Sequence, residues 1–381
     1  MFISLIGTWV QNIALSWLVF ELTRSAFLLG LVGFLGSIPI FLLSIFGGIL
    51  ADRVNKKNIL IFTQVFFMCL AFLLAVLTQF KLVTPLQIMF IALANGMVMA
   101  FDAPARQSIV VEMVGKEHLF NAIALNSVSF NSSRIIGPAI AGLLISAVGM
   151  SGCFYLNGLS FCAVIAALFW IKFPRSLPAN SVSAVRDLKD LLIFVRGRRL
   201  IIALLSMVAA VSLFGISYVI LMPVFANDVL HAGVKGLGIL MSSTGLGALA
   251  GALILARLGN FRHKGRLLIY AVFSFSVSLI VFSLSRDYFF ALFSLIFVGS
   301  SSVMAISLVN TLLQTNVPDK LRGRIMSLFM ITFAGITPFG NLIAGTLAQY
   351  LGVSKALLLS GSICAALFLA INIFFAEIKD I

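Results

Sequence analysis

The chain has 381 residues, of which 61% are hydrophobic and only 10% are charged, and its formal net charge is +14. Soluble domains carry about 25% charged residues, so this composition excludes a soluble fold and requires a bilayer around most of the chain. We attribute the excess of Lys and Arg to membrane topology rather than to a nucleic-acid partner, because basic residues gather in the cytoplasmic loops of membrane proteins.

Twelve apolar stretches follow one another along the chain, and each is long enough to cross roughly 30 Å of hydrocarbon as a helix. They are too long and too uniformly apolar to be strands of a membrane barrel. The predicted spans, numbered 1 to 12 in order, are residues 2–20, 26–50, 58–80, 84–102, 122–147, 152–171, 200–225, 235–256, 265–284, 288–314, 325–349 and 354–375.

The basic residues give this arrangement an orientation. If the chain starts in the cytoplasm, twenty of the 26 Lys and Arg residues fall in cytoplasmic segments and five in outside turns, which leaves Arg134 inside span 5. This asymmetry predicts a multi-pass protein with both termini in the cytoplasm. The longest loop, 172–199, contains an amphipathic stretch that we expect to lie on the cytoplasmic membrane surface as a helix.

The two halves of the chain repeat a glycine pattern at an offset of 203 residues. The matching pairs are Gly48 and Gly251, Gly96 and Gly299, Gly142 and Gly345, and Gly149 and Gly352. Transporters built from two such halves place their substrate site between them, near the membrane midplane. The sequence therefore predicts an all-α membrane protein with two pseudo-symmetric six-helix bundles, 1–171 and 200–381, joined by the linker 172–199.

Polar side chains interrupt several spans. Such groups usually face the interior of a helix bundle, where they contact either another helix or a substrate cavity, and the sequence leaves both open. The candidate cavity residues are Trp9, Gln11, Asn12, Asn126, Asn131, Arg134, Tyr218, Asn310, Thr311 and Gln314. Small residues and a proline in spans 5 and 11 are candidates for close packing or bending, namely Gly137, Pro138, Gly142 and Gly345.

Three ionisable residues are candidates for proton coupling. Arg134 lies about 10 Å deep in span 5, where it is costly unless it pairs, snorkels or faces water. It either forms a structural pair with Asp102 or binds an anion or takes part in proton transfer in the cavity. Glu21, near the outer end of span 1, is either a proton acceptor or an interfacial residue.

No catalytic constellation is evident. The three His residues lie in or next to predicted loops, the four Cys residues show no metal-ligand spacing, and no glycine-rich phosphate loop occurs. We therefore expect no enzyme activity, no cofactor and no metal.

A charged segment between spans 2 and 3 carries the first resemblance to a known family. The residues 48–57, GILADRVNKK, resemble the loop G-x-x-x-D-[RK]-x-G-[RK]-[RK] of the major facilitator superfamily. Asn55 stands at the second Gly of that pattern, where we expect a left-handed backbone. Gly48 lies one helical turn before Asp52, and we expect it to let another helix approach that face. The resemblance implies that the loop forms a cytoplasmic gate, with its functional residues at Gly48, Asp52, Arg53, Lys56 and Lys57.

Three further segments resemble the superfamily's exporters that include bacterial macrolide-efflux pumps and the enterobactin exporter. They are FDAPARQ at 101–107, NSSRIIGPAIAG at 131–142 and VPDKLRGR at 317–324. The resemblance implies a monomer in the bacterial cytoplasmic membrane that exports small drug-like or siderophore-like molecules by alternating access, coupled to proton influx. Import of a small solute, or a transport-inactive receptor or scaffold of the same fold, is the alternative.

Overall fold

The computed structural model describes residues 2–171, 195–259, 261 and 263–374, and every regular element in this part of the chain is a helix. The helices are α1 Phe2–Thr23, α2 Ala26–Arg53, α3 Lys56–Gln79, α4 Pro85–Trp170, α5 Arg199–Ala210, α6 Tyr218–Val224, α7 Gly233–Leu258, α8 Lys264–Leu284, α9 Tyr288–Thr315, α10 Asp319–Leu351 and α11 Val353–Phe374. The π-helical turns Val211–Gly215 and Phe225–Val229 flank α6. The amphipathic stretch predicted in the linker lies outside the described residues.

Eleven helical stretches among the described residues are long and apolar enough to cross a membrane. Ten of them correspond to single predicted spans. The other, Val128–Trp170, has 43 residues and would be about 65 Å long as one straight helix. That is about twice the thickness of the hydrocarbon core, so this stretch must contain more than one crossing.

Contacts with α1 show that α4 turns back on itself. Gly7 packs against Asn157, whereas Trp9, only two residues later in α1, packs against Gly137. A straight helix would separate residues 137 and 157 by about 30 Å, so both can reach the same part of α1 only if the chain reverses between them. Gly149, with a left-handed φ of 72°, lies between them. The predicted turn between spans 5 and 6 is therefore present.

A second reversal lies earlier in α4. Val98 packs against the hydrophobic cluster that contains Phe161, and further along the chain Ile109 and Leu168 belong to one buried cluster. The stretches 85–109 and 149–170 thus run in the same direction, which requires a second reversal before 128. We call the three crossings of α4 its first (85–109), second (128–148) and third (149–170) passes. With these passes, the prediction of a twelve-span all-α membrane fold is confirmed.

Side-chain caps set the starts of several helices. Ser25 Oγ accepts a hydrogen bond from the Leu28 amide before α2, and Asp287 Oδ1 accepts one from the Phe290 amide at 2.8 Å before α9. Thr84 and Gln87 form a reciprocal capping box before α4. Such caps satisfy amides that a helix leaves unpaired, so the chain enters each of these crossings from a short polar turn.

The described residues form two compact units. The first comprises those within Met1–Asn180 and His231–Ser242, and the second comprises those within Ser181–Leu230 and Ser243–Ile381. The beginning of α7 therefore groups with the first unit and the rest of that helix with the second.

Glycines allow close helix crossings in the first unit. A side chain on Gly47 of α2 would collide with the backbone of Ala100 in the first pass of α4, and one on Gly96 would collide with the Gly36 carbonyl. Backbones approach this closely only where side chains are absent. Gly48, to which we assigned the close approach from the sequence, has nothing within 4 Å. That expectation was one residue out of register.

The second unit repeats this crossing. A side chain on Gly251 of α7 would meet the backbone of Ser300 in α9, and one on Gly299 would meet the carbonyl of Thr244. The second and fourth helices of each half therefore cross through the same kind of glycine contact. The structural counterpart of Gly251 is Gly47 rather than Gly48.

Candidate functional site

A carboxylate is buried near the end of the first pass of α4. Asp102 is 2% exposed, and its Oδ1 accepts hydrogen bonds from Thr63 Oγ1 at 2.7 Å and from Gln64 Nε2 at 2.9 Å, both on α3. Its Oδ2 accepts a bond from Arg106 Nε at 2.9 Å and lies 2.8 Å from Arg106 Nη2. Both carboxylate oxygens are satisfied, so the chain itself holds this charge.

The structure corrects the expected pairing of Arg134. Asp102 pairs with Arg106, one turn further along the same helix, and not with Arg134. Arg134 is half-buried in the second pass of α4 and has no hydrogen bond or ion pair with any residue that the structure describes. An arginine at membrane depth is costly and usually pairs or faces water.

Gln11 of α1 contacts another helix. Asn157 Nδ2, in the third pass of α4, donates a hydrogen bond to Gln11 Oε1 at 2.8 Å, and the two residues are 1% and 6% exposed. Ser160 Oγ lies beside this pair, 3.2 Å from Asn157 Oδ1. Of the two interpretations that the sequence left open for Gln11, the structure supports interhelical contact over a cavity wall.

The next residue of α1 differs. Asn12 is exposed, although it lies in the middle of a helix that crosses the membrane. An amide in hydrocarbon without a partner is costly, which favours a polar or water-filled surrounding for Asn12. Trp9, on the same side of α1, is half-buried: it packs over Gly137, and its ring centroid lies 6.5 Å from that of Phe130.

Two predicted cavity amides lie in α4 ahead of Arg134. Asn126 is exposed. Asn131 is half-buried and has an interaction partner. Phe130, 49% exposed, lies beside them. This end of the second pass therefore presents a mixed amide and aromatic surface.

The other face of the second pass packs against the start of α7, within the first unit. Ser242 Oγ donates a hydrogen bond to the Ile135 carbonyl at 2.7 Å. A side chain on Gly238 would lie 2.5 Å from the Pro138 carbonyl, and one on Gly142 would lie 3.1 Å from Lys235 Cα. The Gly-Pro segment predicted to pack or bend thus forms a close helix crossing.

The seventh predicted span is not a regular α-helix. The Ile216 amide donates to the Val211 carbonyl at 2.8 Å and the Leu230 amide to the Phe225 carbonyl at 3.1 Å, each five residues back. Such π-helical turns recur at functional sites, and no feature of the sequence predicts them. Tyr218, between the two turns, is 4% exposed, so its ring lies in the core of the second unit.

A close contact fixes the first π-helical turn. A side chain on Gly340 of α10 would collide with the Leu213 carbonyl and with Ser217 Oγ. Ser212, in the same turn, is fully buried, and its hydroxyl has no hydrogen-bond partner among the described residues. Gly345, five residues further along α10, is also buried.

The remaining predicted cavity residues lie near the end of α9. Gln314 Nε2 donates a hydrogen bond to Asn310 Oδ1, one turn earlier. Thr311 Oγ1 donates to the Ser307 carbonyl at 2.9 Å, and Arg322 Nε of α10 donates to the Gln314 carbonyl at 3.0 Å. Gln314 is exposed, and Asn310 and Thr311 are half-buried.

The charged segment between α2 and α3 is built around a helix start. Asn55 caps α3 by accepting a hydrogen bond from the Lys57 amide at 2.9 Å. Its φ is −59°, so our expectation of a left-handed residue here was wrong, and Asn55 is explained by capping instead. Lys56 is 8% exposed, and Arg53 is exposed. The side chain of Asp52 lies outside the described residues.

Lys57 joins this segment to the end of α4. Its Nζ donates hydrogen bonds to the carbonyls of Phe169, at 3.2 Å, and Ile171, at 2.9 Å. The last carbonyls of a helix have no intrahelical partner and carry partial negative charge. Lys57 therefore caps the third pass of α4.

Glu21 is exposed in the last turn of α1 and has no partner among the described residues. Arg24, which follows with a φ of 49°, lies over the ring of Phe20 at 4.9 Å from its centroid and not against Glu21. Of the predicted coupling residues, Glu21 and Arg134 thus lack a charged partner in the described part of the chain, whereas Asp102 has one.

Comparison with known proteins decides the family. A family model described as a transmembrane secretion effector matches residues 1–380. The chain belongs to the transmembrane secretion effector family.

Individual relatives of this family member are transporters. The staphyloferrin A transporter of Staphylococcus aureus is 27% identical over 94% of this chain and 90% of its own. Macrolide efflux protein A of Streptococcus pyogenes is 23% identical over 96% and 92%. The enterobactin exporter EntS of Citrobacter koseri is 26% identical over 95% of this chain and 86% of its own.

Solved structures with the same fold are also transporters. The nucleoside transporter NupG has a TM-score of 0.78 at 14% identity, with 98% of each chain covered. The D-xylose–proton symporter has a TM-score of 0.79 at 13% identity, with 100% of this chain and 98% of the symporter covered.

These findings confirm several predictions for this family member. It is a multi-pass membrane transporter of the major facilitator superfamily, within the group that contains drug and siderophore exporters. Because the family and its relatives are transporters, the prediction that the chain is not an enzyme is also confirmed.

Proposed function

We propose that this chain is a secondary active exporter of small organic molecules of the siderophore or drug class. The observation that carries the proposal is the match to the staphyloferrin A transporter, which extends over 94% of this chain and 90% of the relative. Relatives named for macrolide efflux and enterobactin export match over similar lengths. We place the protein in the bacterial cytoplasmic membrane as a monomer, with both termini and the linker 172–199 in the cytoplasm.

Polar groups on the membrane-crossing helices support a transport path. In the first unit Asn12 and Asn126 are exposed, and in the second unit Gln314 is exposed. Amides are costly in hydrocarbon, so these positions favour a water-filled surrounding. Secondary transporters of this architecture bind substrate near the midplane and expose it to each side in turn, and we propose the same alternating access here.

We propose proton influx as the energy source, with Glu21 as the carboxylate that exchanges the proton. Glu21 is exposed and has no partner among the described residues. Asp102, in contrast, would have to give up its pair with Arg106 before it could accept a proton. One proton entering across 100 mV supplies about 2.3 kcal/mol from the membrane potential alone, which can drive useful export.

Flux measurements in everted membrane vesicles test this function. The substrates are a radiolabelled macrolide, enterobactin and staphyloferrin A, each supplied outside vesicles with an acidic interior. We expect saturable accumulation of at least one compound, and collapse of the accumulation by nigericin. Glu21→Gln should lower gradient-driven accumulation at least tenfold, whereas the matched variant Asp228→Asn should not, because exposed Asp228 lies on a different helix and is bonded to Asn227.

Three results would contradict parts of the proposal. Accumulation only in right-side-out vesicles would identify an importer. Saturable flux that is insensitive to the proton gradient would remove proton coupling but not export. The absence of flux for every compound, from protein that is folded and inserted, would favour a receptor or scaffold of the same fold.

A further inference from the structure

The second pass of α4 carries a cation that has no counter-charge among the residues that the structure describes. Arg134 is half-buried and has no hydrogen bond or ion pair among the described residues. Asp102, a carboxylate in the preceding pass, has both oxygens occupied by Thr63, Gln64 and Arg106. The guanidinium of Arg134 is therefore not neutralised by that acid.

The position of Arg134 on its helix shows which elements flank it. At 100° per residue, Phe130 and Gly137 lie roughly 40–60° to one side of Arg134, and Pro138 and Gly142 lie roughly 40–80° to the other side. The first pair contacts Trp9 of α1, and the second pair contacts the start of α7. Arg134 thus lies between two packed helices of the first unit, and not on a face turned toward lipid.

The flanking helices provide no acid at this depth. The stretches 2–20, 128–148 and 233–258 contain no Asp or Glu. Side chains on a helix lean toward its N-terminus, so Arg134 extends toward the turn that holds Phe130, which is 49% exposed. A half-buried cation next to an indole and an exposed phenyl ring is suited to an anionic ligand, since an arginine fork matches the two oxygens of a carboxylate.

We infer that Arg134 binds a carboxylate of the transported molecule, with Trp9 as the neighbouring aromatic wall. The inference rests on the proposed function for its transported molecule, and it adds the chemical class of that molecule. The guanidinium provides two parallel N–H donors to the carboxylate. Trp9 covers the apolar part next to the carboxylate, as its packing over Gly137 holds the indole beside this position.

A binding experiment tests the site without any transport. The full chain is placed in nanodiscs of phosphatidylcholine, whose headgroup carries no net charge, after Trp17→Phe and Trp170→Phe leave Trp9 as the sole indole. The probe is citrate, and its neutral trimethyl ester is the matched control. We expect citrate to change the Trp9 emission saturably, and the ester to bind at least tenfold more weakly.

Variants assign the effect to the guanidinium. Arg134→Gln should weaken citrate binding more than tenfold and leave binding of the ester unchanged, and Arg134→Lys should retain part of the affinity, because it keeps the charge but loses the fork. The control Arg257→Gln removes an exposed cation at the end of α7 and should change neither. A single symmetric elution peak shows that each variant is folded.

Several outcomes would overturn the inference. Citrate that does not bind the parent chain, or that binds Arg134→Gln as tightly, removes the carboxylate site. Equal binding of acid and ester removes the role of charge. If added phosphatidylglycerol displaces citrate, the site takes a lipid headgroup rather than a substrate. Failure of the vesicle flux with intact citrate binding would remove the exporter function but leave the anion site in place.

Discussion

Two arginines in α4 show opposite ways of placing a positive charge on this helix. Arg106 lies one helical turn from Asp102 and forms a two-point pair with it, and α3 supplies two further donors to the same carboxylate. Arg134 has no such partner among the described residues. The first charge is neutralised by the chain, whereas the described residues supply no counter-charge to the second.

This difference distinguishes polar groups that stabilise the fold from polar groups that are kept for a function. A polar group whose partner belongs to the chain contributes to stability, and its removal leaves the partner unsatisfied. A polar group without an internal partner costs stability and is retained for another reason, such as ligand binding. The same contrast holds for neighbours in α1, where Gln11 is bonded to Asn157 and Asn12 is exposed.

The largest effect is expected at Asp102. Asp102→Asn leaves Arg106 without its counter-charge, and we expect a loss of about 3 kcal/mol of unfolding free energy, as for other broken buried pairs. Chemical denaturation in detergent micelles measures it. The double variant with Arg106→Gln should recover part of the loss, because the unpaired cation is then gone. Equal stability of Asp102→Asn and the parent would show that this pair is not structural.

A smaller effect is expected for the amide pair between α1 and α4. Gln11→Ala leaves the buried Asn157 without its acceptor, and interhelical hydrogen bonds in membranes contribute about 0.6 kcal/mol, up to about 1.7. We expect a loss in this range, again by denaturation in micelles. Asn12→Ala, one residue away, should cause none. A larger loss for Asn12→Ala than for Gln11→Ala would reverse the distinction.

A still smaller effect is expected at the end of α4. Lys57→Gln removes a cation from the carbonyls of Phe169 and Ile171, and charge at a helix C-terminus contributes about 0.3–1 kcal/mol. We expect a loss within that range that shrinks as salt is raised. Arg53→Gln, an exposed cation of the same segment, is the control. A loss that is independent of salt would point to packing rather than charge.

The sequence predicted much of the fold but less of the site. Apolar length gives the crossings directly, and the glycine repeat, used only to infer two halves, contains Gly251 and Gly299, which the structure places at the crossing of α7 and α9. In α2 the prediction missed by one residue, at Gly48 instead of Gly47. A helix turns by 100° per residue, so this small error changes the face completely, and only packing identifies the residue that meets Ala100.

The partners of charged groups were harder to predict. The spacing of Asp102 and Arg106 is that of neighbours on one helix face, and this signal would have predicted their pair, whereas from the sequence we paired Asp102 with Arg134. We gave more weight to the unusual depth of Arg134, which indicates cost but not the identity of a partner. The π-helical turns beside Tyr218 have no comparable signal, because they depend on tertiary contacts such as that of Gly340 with Leu213.

The smallest change in stability is expected for Arg134, and its sign is the most informative. If the guanidinium has no internal partner, Arg134→Leu removes an uncompensated charge, and the unfolding free energy without ligand should stay within about 0.5 kcal/mol of the parent or rise above it. Arg106→Leu, the matched variant in the same helix, should instead be strongly destabilising, because it leaves Asp102 buried and charged. Denaturation of both variants in the same micelles compares them directly. A loss at Arg134 as large as that at Arg106 would mean that the chain holds both charges, and the distinction between the two arginines would then disappear.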